Sequence, residues 1–350
     1  MNVTRIPSIN FMSRIIDSHA HIGTHNNNVY NKNQLDVFTK SDLSNGDSVK
    51  KIIVSDLDVL SGLKEEFEGN KMLLNTFKND NNYSLIASCN PKNGKVDNIK
   101  RLFNEYPNNF LGLKFHPDIQ QLELSDYRYN AYMEFASQKQ LPCLFHCQVK
   151  LLEDGRLNTK LKHISDPENI YNLAKKHSKT PVVLAHLGAG WNESHDKTID
   201  IIIESIRKGD ANLYADVSWV DIDNQHTHIV KAIKRLKGIG EKDWSYGDQS
   251  YRLMFGSDAP LARFKDAKAK ETYTQYIEAI KSSIRKDKDL SANAEKIIED
   301  LFYNNAEKLY LTSQNKTKPK KSLIFIGIFT GISIACGLLY KNLKTKNKEQ

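Results

Sequence analysis

An α/β chain that closes as a (β/α)8 TIM barrel and runs on into one C-terminal transmembrane helix is the fold class this sequence predicts, and three observations predict the barrel. Eight short β-branched or apolar runs recur at intervals of about 26 to 40 residues, at 14–18, 51–55, 84–88, 111–115, 142–145, 181–185, 212–215 and 252–256. Between several of them, at 97–106, 126–139, 167–177 and 197–208, apolar residues recur at three- and four-residue spacing, as in a helix that buries one stripe. Strand and helix alternating eight times in about 250 residues is the pattern of the closed barrel. A doubly wound open sheet, the main alternative, would carry a glycine-rich phosphate loop after its first strand. Here Gly23 stands alone and no Gly-x-x-x-x-Gly-Lys-[Ser/Thr] occurs.

Taken in order, the strands also place the chemistry. The first run leads into Asp17-Ser18-His19-Ala20-His21. Side chains two apart share a strand face, so Asp17, His19 and His21 are expected to point the same way, and two such imidazoles can bind one metal ion. The polar stretch 22–49, with Asn26-Asn27-Asn28, either overhangs the barrel mouth or is a disordered insertion. The fourth strand ends in Lys114 and His116, the fifth in His146, the sixth in His186 and the eighth in Asp258. All C-terminal strand ends of such a barrel surround one mouth, so five imidazoles, a carboxylate and a lysine converge there. Residues 216–219 and Trp191 follow the seventh and sixth strands and are placed to shape the pocket. His226 and His228 repeat the His-x-His spacing in a polar stretch and read as a solvated loop or helix.

A divalent metal held by neutral imidazoles and a carboxylate, with one position open for water, suits this set. It would make a water nucleophile available near neutral pH, with Asp258 taking the proton. His186 would hold a second metal, or polarise the substrate and protonate the leaving group. No nucleophilic Ser or Cys is needed.

The runs Asp17-Ser18-His19-Ala20-His21, Gly112-Leu113-Lys114-Phe115-His116-Pro117, Leu141-Pro142-Cys143-Leu144-Phe145-His146-Cys147, Val183-Leu184-Ala185-His186-Leu187-Gly188, Phe255-Gly256-Ser257-Asp258-Ala259-Pro260 and Asn305-Ala306-Glu307-Lys308-Leu309-Tyr310 resemble the amidohydrolase superfamily. The nearest branch is the amidohydrolase-related group that includes aminocarboxymuconate-semialdehyde decarboxylase. The resemblance covers about residues 14 to 312. It implies metal ligation by His19, His21, His146 and Asp258, with His186 as catalytic acid/base or added ligand. Zinc is the first choice and manganese the second, at one ion per chain. Lys114 stands on the strand where binuclear members carry a bridging carboxylated lysine; a substrate-carboxylate role is the simpler reading, and His116 either contacts substrate or caps its strand.

Composition limits the partners. Residues 316–350 hold eight lysines and one glutamate, a surplus of +7 out of the chain's +8, so the body carries no basic footprint for nucleic acid. Four cysteines make no disulfide framework, and Cys143 and Cys147 are spaced to scatter around His146 rather than join it in a zinc site. Residues 1–312 are read as the barrel, 313–321 as a basic linker, 322–340 as the transmembrane helix and 341–350 as a basic tail. The stretch 322–340 has 19 residues and no charge, about 28 Å as a helix, near the thickness of a hydrocarbon core. Lysines flank it evenly, so orientation rests on the missing signal peptide, which favours a tail anchor with the body in the cytosol. Gly327 and Gly331 form a Gly-xxx-Gly pair that would let two spans approach as a homodimer.

The leading expectation is a membrane-tethered, metal-dependent hydrolase cutting a C–N or C–O bond of a small molecule. The alternative is a non-oxidative decarboxylase of an unsaturated or aromatic acid. A catalytically silent membrane scaffold is the second alternative, opposed by the complete ligand set.

Overall fold

The computed structural model describes residues 12–312, apart from 153–155, 157, 159–161, 190–191, 220–225, 242–244, 246, 262–263 and 265–266. The expected linker, span and tail at 313–350, and Trp191, lie outside the described residues. Among the described residues no helix is long and apolar enough to cross a membrane.

Nine strands form one sheet: β1 (Arg14–His25), β2 (Asn28–Tyr30), β3 (Ser48–Asp56), β4 (Tyr83–Ser88), β5 (Phe110–Phe115), β6 (Cys143–Phe145), β7 (Pro181–Leu184), β8 (Asn212–Asp216) and β9 (Leu253–Met254). Their order is β2-β1-β3-β4-β5-β6-β7-β8-β9, parallel throughout except for β2 against β1. The chain just beyond β9 returns to β1, with Ser18 N–H donating to Phe255 O, Asp258 N–H to His19 O and His21 N–H to Ala259 O at 2.8–3.1 Å. The barrel is thereby closed, and all eight predicted strands are present. A helix follows each of the eight parallel strands, namely Lys32–Thr39, Glu66–Phe77, Val96–Glu105, Arg128–Lys139, Pro167–Lys176, Asn192–Lys208, Thr227–Leu236 and Ala269–Lys286.

Strand alternation divides the core in two. Ile15, Ile52, Leu85, Phe110, Cys143, Val182, Leu213 and Leu253 face the helices. Ile16, Ile53, Ile86, Leu111, Leu144, Val183 and Met254, with Tyr214 packed against them, form a second cluster with one side chain from each of the eight parallel strands. That cluster fills the lumen, and Ala306, Leu309 and Tyr310 join it.

Two bulges break the alternation where it matters. From Asp17 to Ala20 β1 takes three steps while β3 takes two, from Ile52 to Val54. The extra residue shifts parity, so Ile16 fills the lumen and His19, three residues on, still points into it. Asp17 is corrected by the same shift: it does not share the face of His19 and His21. Its carboxylate instead accepts from the Ser257 backbone and hydroxyl and from the Tyr273 hydroxyl. Strand β5 repeats the device between Phe110 and Leu113, which turns both Leu111 and Lys114 inward. Gly112 lies in this bulge because any Cβ there would stand 2.4 Å from Pro142 O.

The stretch 22–49 holds the end of β1, β2, the helix Lys32–Thr39 and the start of β3. β1 and β2 form a hairpin whose turn, Asn26-Asn27, has φ of 47° and 62°, the left-handed pair of a two-residue hairpin that asparagine tolerates.

Candidate metal centre

Directly above the apolar lumen cluster the inner face becomes polar. His19 and His21 come from β1, Lys114 from β5, His116 and His146 from just past β5 and β6, His186 from past β7, and Asp216 from the end of β8. Asp258 follows β9 and is left-handed at φ 64°, as is His186 at 59°. Such backbone is uncommon in residues other than glycine and costs about 1–3 kcal/mol, and it clusters at functional sites.

Three of the expected ligands meet. His21 Nε2 lies 3.0 Å from Asp258 Oδ1 and 3.1 Å from His19 Nε2, and His19 Nε2 lies 3.4 Å from the same carboxylate oxygen. Ligands sharing one divalent ion at bonds of about 2.0–2.2 Å stand about 2.8–3.6 Å apart at octahedral or tetrahedral angles, so the donor set fits such an ion. A second group with metal-binding spacing is His19, His186 and Asp216.

His146 is brought to the pocket but not into either group. Its Nδ1 is 3.2 Å from His186 Nε2, and its ring stacks on His116 at 3.9 Å between centroids. Lys114 is fully buried beneath the donors, with Nζ 2.8 Å from His19 Nε2, and does not line the cavity; His116 does. His116 also accepts the Ile119 N–H, as the N-cap of the short helix Pro117–Gln120.

Burial governs the charges. It pushes His19 down to about 3, helped by the Lys114 cation, and lowers His21, His116, His146 and His186 as well. The imidazoles are therefore neutral, the form in which they can ligate a metal. Burial also brings Lys114 down to about 8. On Asp258 burial works upward, but the neighbouring His186, His21 and His19 rings outweigh it and hold the carboxyl below its usual range.

Sequence reasoning placed Asp216 only as a pocket-shaping residue. Its Oδ2 is 3.1 Å from His19 Nδ1 and its Oδ1 accepts the His186 backbone N–H at 3.0 Å. Ser218 fell within the same pocket-shaping stretch and Ser55 went unassigned; Ser218 Oγ is 2.8 Å from His186 Nδ1, and Ser55 Oγ is 2.7 Å from His21 Nδ1. The available signal was an Asp ending the seventh strand, the position held by ligands on other strands. His226, expected in a solvated stretch, is buried against Tyr276.

Above the donors opens a cavity of about 660 Å³, lined among others by His21, His116, His146, His186, Asp258, Trp219 and Leu261. The hairpin supplies His25, Asn26, Asn28 and Tyr30 to its wall, so this part of the 22–49 stretch does overhang the mouth.

A family model described as amidohydrolase matches residues 96–311. No curated protein gives a significant match. Among solved structures, an amidohydrolase from Burkholderia multivorans with bound zinc is 13% identical over 85% of this chain and 99% of its own, with a TM-score of 0.55. A 2,6-dihydroxybenzoate decarboxylase complexed with 2,6-dihydroxybenzoate is 12% identical over 85% and 99%, at 0.54. A 5-carboxyvanillate decarboxylase from Novosphingobium aromaticivorans complexed with manganese is 11% identical over 85% and 96%, at 0.53. At such identities these likenesses establish the barrel fold.

Proposed function

The chain belongs to the amidohydrolase family, and on that premise we propose that it is a metal-dependent enzyme that removes CO2 from a small unsaturated or aromatic carboxylic acid. The observation that carries this reading is the shape of the cavity over the donor set. His116 and His146 stack within 10° of parallel, and Tyr30, Trp219, Leu57 and Leu261 complete a largely apolar wall. A flat, conjugated acid fits such a wall with its carboxylate toward His19, His21 and Asp258. Support also comes from the two decarboxylases of aromatic acids that share the fold.

A divalent ion bound by His19 Nε2, His21 Nε2 and Asp258 would supply Lewis-acid polarisation of a substrate oxygen. Zinc and manganese both suit the donors. The remaining work falls to the chain. The stacked rings would orient the substrate plane, and the His146–His186 pair on the cavity wall would take up a proton from solvent and pass it to the carbon that loses CO2. The bond between ring and carboxyl carbon breaks, its electron pair stays on the ring, and one proton replaces the carboxyl group.

Hydrolysis of a C–N or C–O bond, the first expectation from the sequence, is the second reading. It is favoured by Asp258, an ionised carboxylate on the cavity wall able to take a proton from water. Product analysis separates the two: with a panel of aromatic acids, esters and amides in 18O-water, the first reading predicts CO2 release and no label in the organic product. Label incorporation with no CO2 would overturn it in favour of hydrolysis.

The proposal includes a bilayer tether at 322–340, supported by 19 uncharged residues between lysine clusters. Gly327 and Gly331 would pair two copies. Retention of the full chain in membranes after an alkaline wash is the expected result, and release into the supernatant would refute the tether.

A further inference from the structure

Asp216 is completely buried, does not line the cavity and is not one of the three clustered donors, yet it contacts two of the five histidines, His19 among them. We propose that Asp216 is a positioning residue: it fixes which nitrogen of His19 carries the proton and, through Ser218, does the same for His186. The inference rests on the metal-dependent reading above and specifies which face of His19 serves it.

A carboxylate only accepts hydrogen bonds, and a neutral imidazole has one N–H and one lone pair. With Asp216 Oδ2 at 3.1 Å, His19 Nδ1 must be the N–H. Its Nε2 then keeps the lone pair, on the side of His21 and Asp258. An independent contact agrees: a lysine ammonium has donors and no acceptor, so Lys114 Nζ, 2.8 Å from His19 Nε2, requires the lone pair there.

Ser218 extends the assignment. Its backbone N–H and its hydroxyl both donate to Asp216 Oδ1. The hydroxyl has one proton, so toward His186 Nδ1 at 2.8 Å the oxygen accepts, and His186 also carries its proton on Nδ1. His186 Nε2 is left as an acceptor facing His146 Nδ1 at 3.2 Å.

This settles the choice between the two groups with metal-binding spacing. His19 presents its lone pair to His21 and Asp258, and its N–H to Asp216, so one ring cannot ligate in both groups. Asp216 therefore belongs behind the ligand, as carboxylates commonly stand behind metal-binding histidines. Gly256 makes the arrangement sterically available: a Cβ there would stand 2.9 Å from His19 Cβ and 3.4 Å from Asp216 Cβ.

The test uses the full chain with 15N-labelled histidine, metal-free and loaded with zinc, with long-range 1H–15N spectra to read the tautomers and chelator competition to read affinity. Wild type is expected to show His19 and His186 protonated on Nδ1 in the metal-free state, and zinc on His19 Nε2. Asp216→Asn, whose amide can donate to Nδ1, is expected to populate the other His19 tautomer and to weaken zinc about 10- to 100-fold. Ser218→Ala should release the His186 tautomer and leave zinc affinity within about threefold, the smaller effect because Asp216 still holds His19. A wild-type His19 protonated on Nε2, or zinc affinity unchanged in folded Asp216→Asn, would overturn the inference. The metal-free wild-type spectrum decides even if Asp216→Asn does not fold. Absence of zinc binding would instead count against the function proposed above, since the tautomers are read without metal.

Discussion

The floor and the mouth of this barrel are made by the same strands, two or three residues apart, and they obey opposite rules. On the floor every parallel strand contributes an apolar side chain, from Ile16 on β1 to Met254 on β9. Each such Ile, Leu or Val contributes about 1.5–3 kcal/mol by leaving water. One pleat higher, the inward positions are His19, Ser55, Lys114 and Asp216, all buried. Burying polar groups costs stability unless each is hydrogen-bonded, and the left-handed backbone at His186 and Asp258 adds strain. The floor holds the barrel together, and the mouth uses part of that stability for chemistry.

This comparison can be broken by substitution. On the floor, Ile86→Ala should cost about 2–5 kcal/mol in urea unfolding while metal affinity stays unchanged. A parallel loss of metal binding would show that floor and mouth are not separable. At the mouth, Asp258→Asn should weaken metal at least about 100-fold, beyond what changing a group behind a ligand costs, and leave the unfolding midpoint close to wild type. Unfolding of this variant would contradict the division of labour.

The pH dependence sharpens the contrast, because the mouth titrates and the floor does not. Burial holds metal-free His19 at about 3, against about 6.5 in the unfolded chain. The folded value is depressed, so the unfolded chain binds the extra proton, and the stability is present above about pH 6.5 and lost as pH falls toward 3. Asp17, raised to about 6 chiefly by burial, works in the opposite sense, losing stability as pH rises to about 6. The difference between wild type and His19→Ala isolates the imidazole. It should fall by up to about 1.4 kcal/mol per pH unit below 6.5, whereas Ile86→Ala should run parallel to wild type. A flat difference curve would remove His19 from the buried, neutral set.

The smallest effect is expected at the apolar cluster itself. The Tyr310 hydroxyl is buried with no partner among the described residues. Tyr310→Phe should be neutral or stabilising by up to about 1 kcal/mol in urea unfolding, since an unpaired buried donor gains nothing there. A larger loss would reveal a hydrogen bond to that hydroxyl.

The floor was the legible part of this molecule. β-branched runs and their spacing report burial directly, and all eight strands stand where that pattern places them. The His, Lys and Asp residues at the strand ends were legible for the same reason, because barrel closure brings strand ends together whatever the loops do. What stayed hidden depends on single residues. A bulge adds one residue without changing the hydrophobic pattern, so Asp17 was grouped with His19 and His21 although the chain turns it away. Gly112 inside a strand was the available sign of the second bulge. The β1–β2 hairpin lay under three asparagines that read simply as polar, although adjacent asparagines also suit its left-handed turn. Asp216 carries no motif of its own; its role is visible only once His19 and His186 stand beside it.

Metal analysis of the purified full chain, beside His19→Ala, tests the central claim most directly. After loading with zinc or manganese and removal of excess, wild type should retain about one divalent ion per chain, and the variant, with unchanged circular dichroism, should retain essentially none. Equal metal content in the two proteins, or no metal in wild type, would contradict the assignment of the barrel mouth as a metal centre.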